Sequence, residues 1–109
     1  MTDEDKTLLE LAARSIGAEW DDSLNVFWWQ RDDGISYECD PLTDDGDALW
    51  LAVKLQLGIS IPPVADGRIE VVTFYGPIIS IVEYPQNDDR QAATRRAIVR
   101  AAASIGGKL

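Results

Sequence analysis

Thr43-Asp44-Asp45-Gly46-Asp47-Ala48-Leu49-Trp50-Leu51-Ala52-Val53-Lys54-Leu55-Gln56-Leu57-Gly58 is the stretch on which the fold turns. Thr43 or Asp44 offers an N-cap oxygen, the acids that follow suit the positive end of a helix dipole, and Gly58 stands where a C-terminal cap belongs. Between Ala48 and Leu57 only Lys54 and Gln56 interrupt the apolar run. A helix so apolar is expected to be buried on most sides and to hold the core together, laid across a sheet.

Working outward toward the N-terminus, Pro41 closes a segment that reads as a β-hairpin. Val26-Phe27-Trp28-Trp29-Gln30 is aromatic and β-branched, Arg31-Asp32-Asp33-Gly34 supplies turn chemistry, and Ile35-Ser36-Tyr37-Glu38-Cys39 alternates apolar with polar. Ala18 to Asn25 reads as a loop. Ahead of it, Leu8, Leu9, Leu11, Ala12, Ala13 and Ile16 fall at helical spacing, with Thr2 as N-cap and Gly17 as the stop.

Toward the C-terminus, Ile59-Ser60-Ile61 suggests a short strand ended by Pro62-Pro63, and Ala65-Asp66-Gly67 a turn. Arg68 to Tyr75 and Pro77 to Tyr84 read as two strands joined at Gly76-Pro77 and paired antiparallel. A last helix runs from about Arg90 to Ile105 and stops at Gly106-Gly107; its alanines permit close approach to the sheet. The order is α-β-β-α-β-β-α with no sequence repeat. It predicts an α+β fold, one domain over residues 1–109, with about three helices on a mainly antiparallel sheet.

The 109 residues are enough for one hydrophobic core, and a composition 46% apolar and 27% charged is that of a globular chain. Ten basic against nineteen acidic side chains leave a net charge of −9, which opposes attraction to phosphate backbones and anionic lipid. Neither direct nucleic-acid binding nor membrane association is expected. There is no histidine and one cysteine, so histidine-dependent nucleophilic triads and an internal disulfide are excluded. The acidic start lacks the basic n-region of a secretory signal, and no apolar run approaches the roughly 18 residues of a membrane span. A cytoplasmic protein is expected.

Candidate chemistry is sparse. Asp40, Asp44, Asp45 and Asp47 are hard-cation ligands in type, but their spacing is not that of a calcium-binding hand and fits helix capping better. Cys39, between Glu38 and Asp40, is in a setting that disfavours the thiolate and reads as inert. No catalytic residue, metal site or cofactor is assigned. Residues 1–84 carry five basic and seventeen acidic side chains, whereas 85–109 carry five basic and two acidic. Arg95, Arg96 and Arg100 on the last helix are expected to pair with acids of the body. Trp20, Trp28, Trp29 and Trp50 are many tryptophans for this length. Trp28 and Trp29 alternate along a strand and point to opposite faces, so one of them is available to a partner. Trp50 is assigned to the core or its rim. The candidate partner-binding residues are Trp28, Trp29, Asp32 and Asp33.

The run Asp40-Pro41-Leu42-Thr43-Asp44-Asp45-Gly46-Asp47-Ala48-Leu49-Trp50-Leu51-Ala52-Val53-Lys54-Leu55, and the closing helix from Ala92 to Ala103, resemble the phage ABA sandwich domain family, small phage and prophage proteins. Asp40 departs from that family's asparagine, and Trp50 from a polar or basic residue. The resemblance implies a three-layer α/β arrangement, a viral or prophage gene and a bacterial host cell; it implies no activity. The leading expectation is a non-enzymatic inhibitor of a host nucleic-acid-processing or defence complex, similar in action to an anti-CRISPR protein. Its acidic surface imitates phosphate toward the partner's basic nucleic-acid-binding surface. The alternatives are a structural or accessory phage module that self-associates or joins a viral assembly, and a metal-binding protein using Asp40 to Asp47. Homo-oligomerisation is compatible with either protein-binding reading.

Overall fold

Thr2 opens the first helix as read: its hydroxyl accepts a hydrogen bond from the Asp5 amide at 3.0 Å, and Asp3, Glu4 and Asp5 fill the first turn. The computed structural model describes residues 2–30, 32–61, 67–74 and 78–108. Along it run α1 (Asp3–Ser15), β1 (Glu19–Asp21), β2 (Val26–Gln30), β3 (Ser36–Cys39), α2 (Asp45–Lys54), β4 (Gly58–Ser60), β5 (Ile69–Thr73), β6 (Ile79–Glu83) and α3 (Arg90–Gly106). The strands form two antiparallel three-stranded sheets, β1-β2-β3 and β4-β5-β6. The fold is therefore α+β, and its radius of gyration of 13.5 Å is that of a compact body of this length.

A helix followed by a three-stranded meander occurs twice, although the sequence shows no repeat. Both helices end in the same device. Gly17 and Gln56 take left-handed backbone angles (φ 70° and 53°), while the amides of Ala18 and Leu57 reach back to the carbonyls of Ala13 and Ala52, each at 2.9 Å. This is the six-to-one closure that ends a helix and turns the chain into a strand. The assignment of Gly58 as the cap is corrected: α2 stops at Lys54, Gln56 occupies the left-handed position, and Gly58 opens β4. A Cβ at Gly58 would lie 3.2 Å from the Phe74 ring, so packing rather than a turn suits glycine there.

Two further expectations are overturned. Ala18 to Asn25 is not all loop, because Glu19, Trp20 and Asp21 pair with Trp28, Phe27 and Val26 as β1. Nor is α2 the central helix. Leu49 and Val53 are 61% and 68% exposed, and only Ala48, Leu51 and Ala52 of α2 are buried. That place belongs to α3, which buries Ala93, Ala97, Ile98, Val99, Ala101, Ala102, Ala103 and Gly106 against α1, α2, β5 and β6. Small side chains let four neighbours close on one helix, whereas the apolar run of α2 exceeds the surface its neighbours cover. α3 stops at Gly106-Gly107 as expected, with Gly107 as its cap, and Gly106 is also part of this packing: a Cβ there would run into the Leu11 carbonyl oxygen.

The hairpin register pairs Phe27, Trp28, Trp29 and Gln30 with Cys39, Glu38, Tyr37 and Ser36. β5 and β6 pair antiparallel as expected, Val71 opposite Ile81. The expected features at Pro62-Pro63, Ala65-Asp66 and Gly76-Pro77, and Arg31 of the hairpin turn, lie outside the described residues.

Candidate functional site

The hairpin sheet presents two chemically different faces. On one, Phe27 and Cys39 are fully buried, and Trp20 and Trp29 pack against the core. Trp28 lies on the other face and is half-buried. Its cross-strand partners on both sides are glutamates, Glu19 on β1 and Glu38 on β3, both exposed. Adjacent strands lie about 4.8 Å apart, which sets these carboxylate-bearing positions roughly 10 Å from each other across the indole.

Asp21 completes this face. Its Oδ2 accepts the Trp28 indole N–H at 3.2 Å, and its Oδ1 accepts from the Ser23 hydroxyl at 2.6 Å and from the amides of Ser23 and Leu24 at 3.0 and 3.2 Å. The Ser23 hydroxyl, then the indole, hold the Asp21 carboxyl below its ordinary range. Among the described residues no lysine or arginine lies within ion-pair distance of Glu19, Asp21 or Glu38.

Trp29 looks the opposite way, as the alternation required. Its ring meets Trp50 at 5.7 Å between centroids with the planes tilted by 50°, and Lys54 Nζ stands 4.9 Å over it. With Asp32 and Asp33 these side chains line a cleft of about 350 Å³. Asp33 organises the turn: its Oδ1 accepts from the Ile35 amide at 2.9 Å and its Oδ2 from the Tyr37 hydroxyl at 2.6 Å, while Gly34 takes a φ of 81°. The structure thus brings Trp29, Asp32 and Asp33 together and sets Trp28 on the far face.

Sequence reasoning missed Glu19 and Asp21 as companions of Trp28, since β1 had no strand signal of its own, and Glu38, since the hairpin was read without its register. It also missed the place of Trp50 and Lys54 in the cleft, though their spacing of four residues puts them on one helix face.

The arginines of α3 are engaged within the molecule. Arg95 pairs with Asp45 at 2.6 Å and donates to the Leu42 carbonyl at 2.9 Å. Arg96 meets Asp5 at 2.8 Å and Glu4 at 3.3 Å, and Arg100 bonds Glu83. The guanidinium of Arg96 lowers the Asp5 carboxyl below its usual range, and Asp5 in turn raises Arg96.

The acids from Asp40 to Asp47 serve the start of α2. Asp44 Oδ1 accepts from the Asp47 amide at 2.8 Å, Asp47 Oδ2 from the Asp40 amide at 2.9 Å, and Asp40 Oδ2 from the Thr43 hydroxyl at 2.8 Å. Among the described residues no three His, Cys, Asp or Glu side chains converge as metal ligands. Cys39 is fully buried. No helix among the described residues is long and apolar enough to cross a membrane. The chain matches no family model, no curated protein and no solved structure.

Proposed function

We propose that this chain is a non-enzymatic binding protein of phage or prophage origin. It docks its hairpin sheet on the basic nucleic-acid-binding surface of a host processing or defence complex in the bacterial cytoplasm, and blocks that surface. One observation carries the reading: Trp28 stands between Glu19 and Glu38, with Asp21 locked to its indole, and no basic side chain among the described residues neutralises these acids. Arg95, Arg96 and Arg100 of α3 are meanwhile committed to Asp45, Asp5, Glu4 and Glu83.

An indole between carboxylates suits a lysine or arginine side chain, whose charge is drawn to the ring face and to the acids at once. Uncompensated acids over a wider surface speed the encounter with a basic partner and make it salt-dependent. The acids of the hairpin turn, Asp32 and Asp33, line the cleft beside Trp29 on the opposite face and add long-range negative charge that draws a basic partner in.

The test is capture from a host lysate on the tagged protein, washed at low and high salt, beside a Trp28→Ala, Glu38→Lys double variant. The expected result is a stoichiometric nucleic-acid-binding complex that salt releases, that loses activity when the protein is added in excess, and that the variant fails to retain. Capture of no such complex, or equal capture by the variant, overturns the proposal.

A further inference from the structure

We infer that the face formed by α2 and the outer edge of β4 is where two copies of this chain associate. Leu49, Val53, Ile59 and Ile61 are large apolar side chains left 61%, 68%, 38% and 50% exposed. Leu49, Ile59 and Ile61 border a cleft of about 290 Å³ that reaches Ala48 and Ile98 on its inner side. Contiguous apolar surface of this kind marks an interaction site more often than scattered single residues do.

β4 pairs with β5 alone, so its other edge is open among the described residues. Gly58, Ile59, Ser60 and Ile61 place no charge on that edge, whereas exposed edges are usually blunted by charge. Proline at 62 limits the pairable edge to these residues, so side chains rather than a long ladder carry the contact.

Charge selects a second copy as the occupant. Two chains of net −9 repel wherever their acids meet, yet residues 48–61 and 90–109 contain no acid at all. The cleft lies between these two segments, and Asp45 on its rim is ion-paired with Arg95. Apart from that paired Asp45, this is a surface on which two copies can meet without opposing carboxylates. A two-fold axis beside β4 would set the β4 edges antiparallel and bring the Leu49 and Val53 side chains of both copies together, a closed isologous contact.

The proposal is independent of the hairpin sheet and is tested apart from it. Sedimentation equilibrium from micromolar to millimolar protein should give a species of twice the 12.1 kDa of one chain. A Val53→Glu, Ile61→Glu variant should dissociate at least about tenfold more readily, with unchanged circular dichroism, as expected for the loss of interfacial anchors. Amide exchange on the unaltered chain should show Ile59 and Ile61 gaining protection with concentration, a readout that does not depend on the variant's folding. Added salt should strengthen the association by screening the two acidic bodies. A chain that stays monomeric at millimolar concentration, a dimer indifferent to the two substitutions, or an association weakened by salt would each overturn it.

Discussion

Asp33 and Asp32 are adjacent and both exposed, yet they do different things. Asp33 bonds the Ile35 amide and the Tyr37 hydroxyl, so it shapes the turn; Asp32 contributes charge to the rim of the Trp29 cleft. Asp32→Asn is therefore expected to flatten the salt dependence of partner binding while leaving thermal unfolding within about 0.5 kcal/mol of the parent, as for surface changes generally. Asp33→Ala should lower stability as well as binding, and urea unfolding of the two variants separates the effects. Gly17 gives a cleaner case. A Cβ there would meet nothing within 4 Å, so Gly17→Ala isolates the backbone cost of a left-handed residue, about 1 kcal/mol by urea titration. Gly17 was legible as a cap because glycine is the usual residue in that geometry. Gln56 was not, since its side chain gives no hint of a positive φ and the glycine two residues on drew the assignment away.

The elements that carried a local signature were read correctly from sequence. Asp33-Gly34 between alternating strands announced the hairpin, and Trp28 and Trp29 do face opposite ways. β1 escaped notice because Glu19-Trp20-Asp21 is short, carries two acids and becomes a strand only through its pairing with β2. The rank of the helices escaped for a related reason. An apolar run tells how much surface a helix offers, not how many neighbours come to cover it, and alanine-rich α3 drew more of them than leucine-rich α2. The contact of α3 with α1 is tight enough to be tested by one methyl group. Gly106→Ala would drive a Cβ into the Leu11 backbone, with Ser15 N also only 3.2 Å away, and part the two helices. A loss of about 3 kcal/mol in unfolding free energy is expected, the upper end for overpacking, and chemical denaturation would measure it.

For the whole molecule, the lopsided charge along the chain becomes a fold-closing device. The basic α3 meets Asp5 and Glu4 near one end of the chain, Asp45 in the middle and Glu83 on β6. Because Arg96 depresses the folded Asp5 carboxyl below its ordinary 3.8, that carboxyl contributes stability above the unfolded value, and the contribution is lost as pH falls through the lower folded one. Arg96→Gln should thus cost about 1 kcal/mol near neutral pH, in keeping with a partly exposed pair. The gap from the parent should narrow below pH 4, which urea unfolding across a pH series would show. A gap independent of pH would assign the loss to packing of the Arg96 stem instead. The charge imbalance was visible in the sequence, and its internal use was expected; the particular partners depended on a topology that no local pattern encodes.

The position of α3 also bears on the order of events as the chain is made. Both helix-and-meander units leave the ribosome before α3, the helix on which α1 of the first unit and α2, β5 and β6 of the second are packed, and the Arg96 bond to Asp5 closes a separation of 91 residues. Long-range closure of this sort slows folding, because loop entropy must be overcome before the contacts that reward it exist. Until α3 arrives, the first unit holds Leu9, Ala12 and Ala13 of α1 without the helix that covers them. The nascent chain is therefore expected to stay open to chaperones and proteases until α3 emerges, and then to acquire its shape in one concerted step.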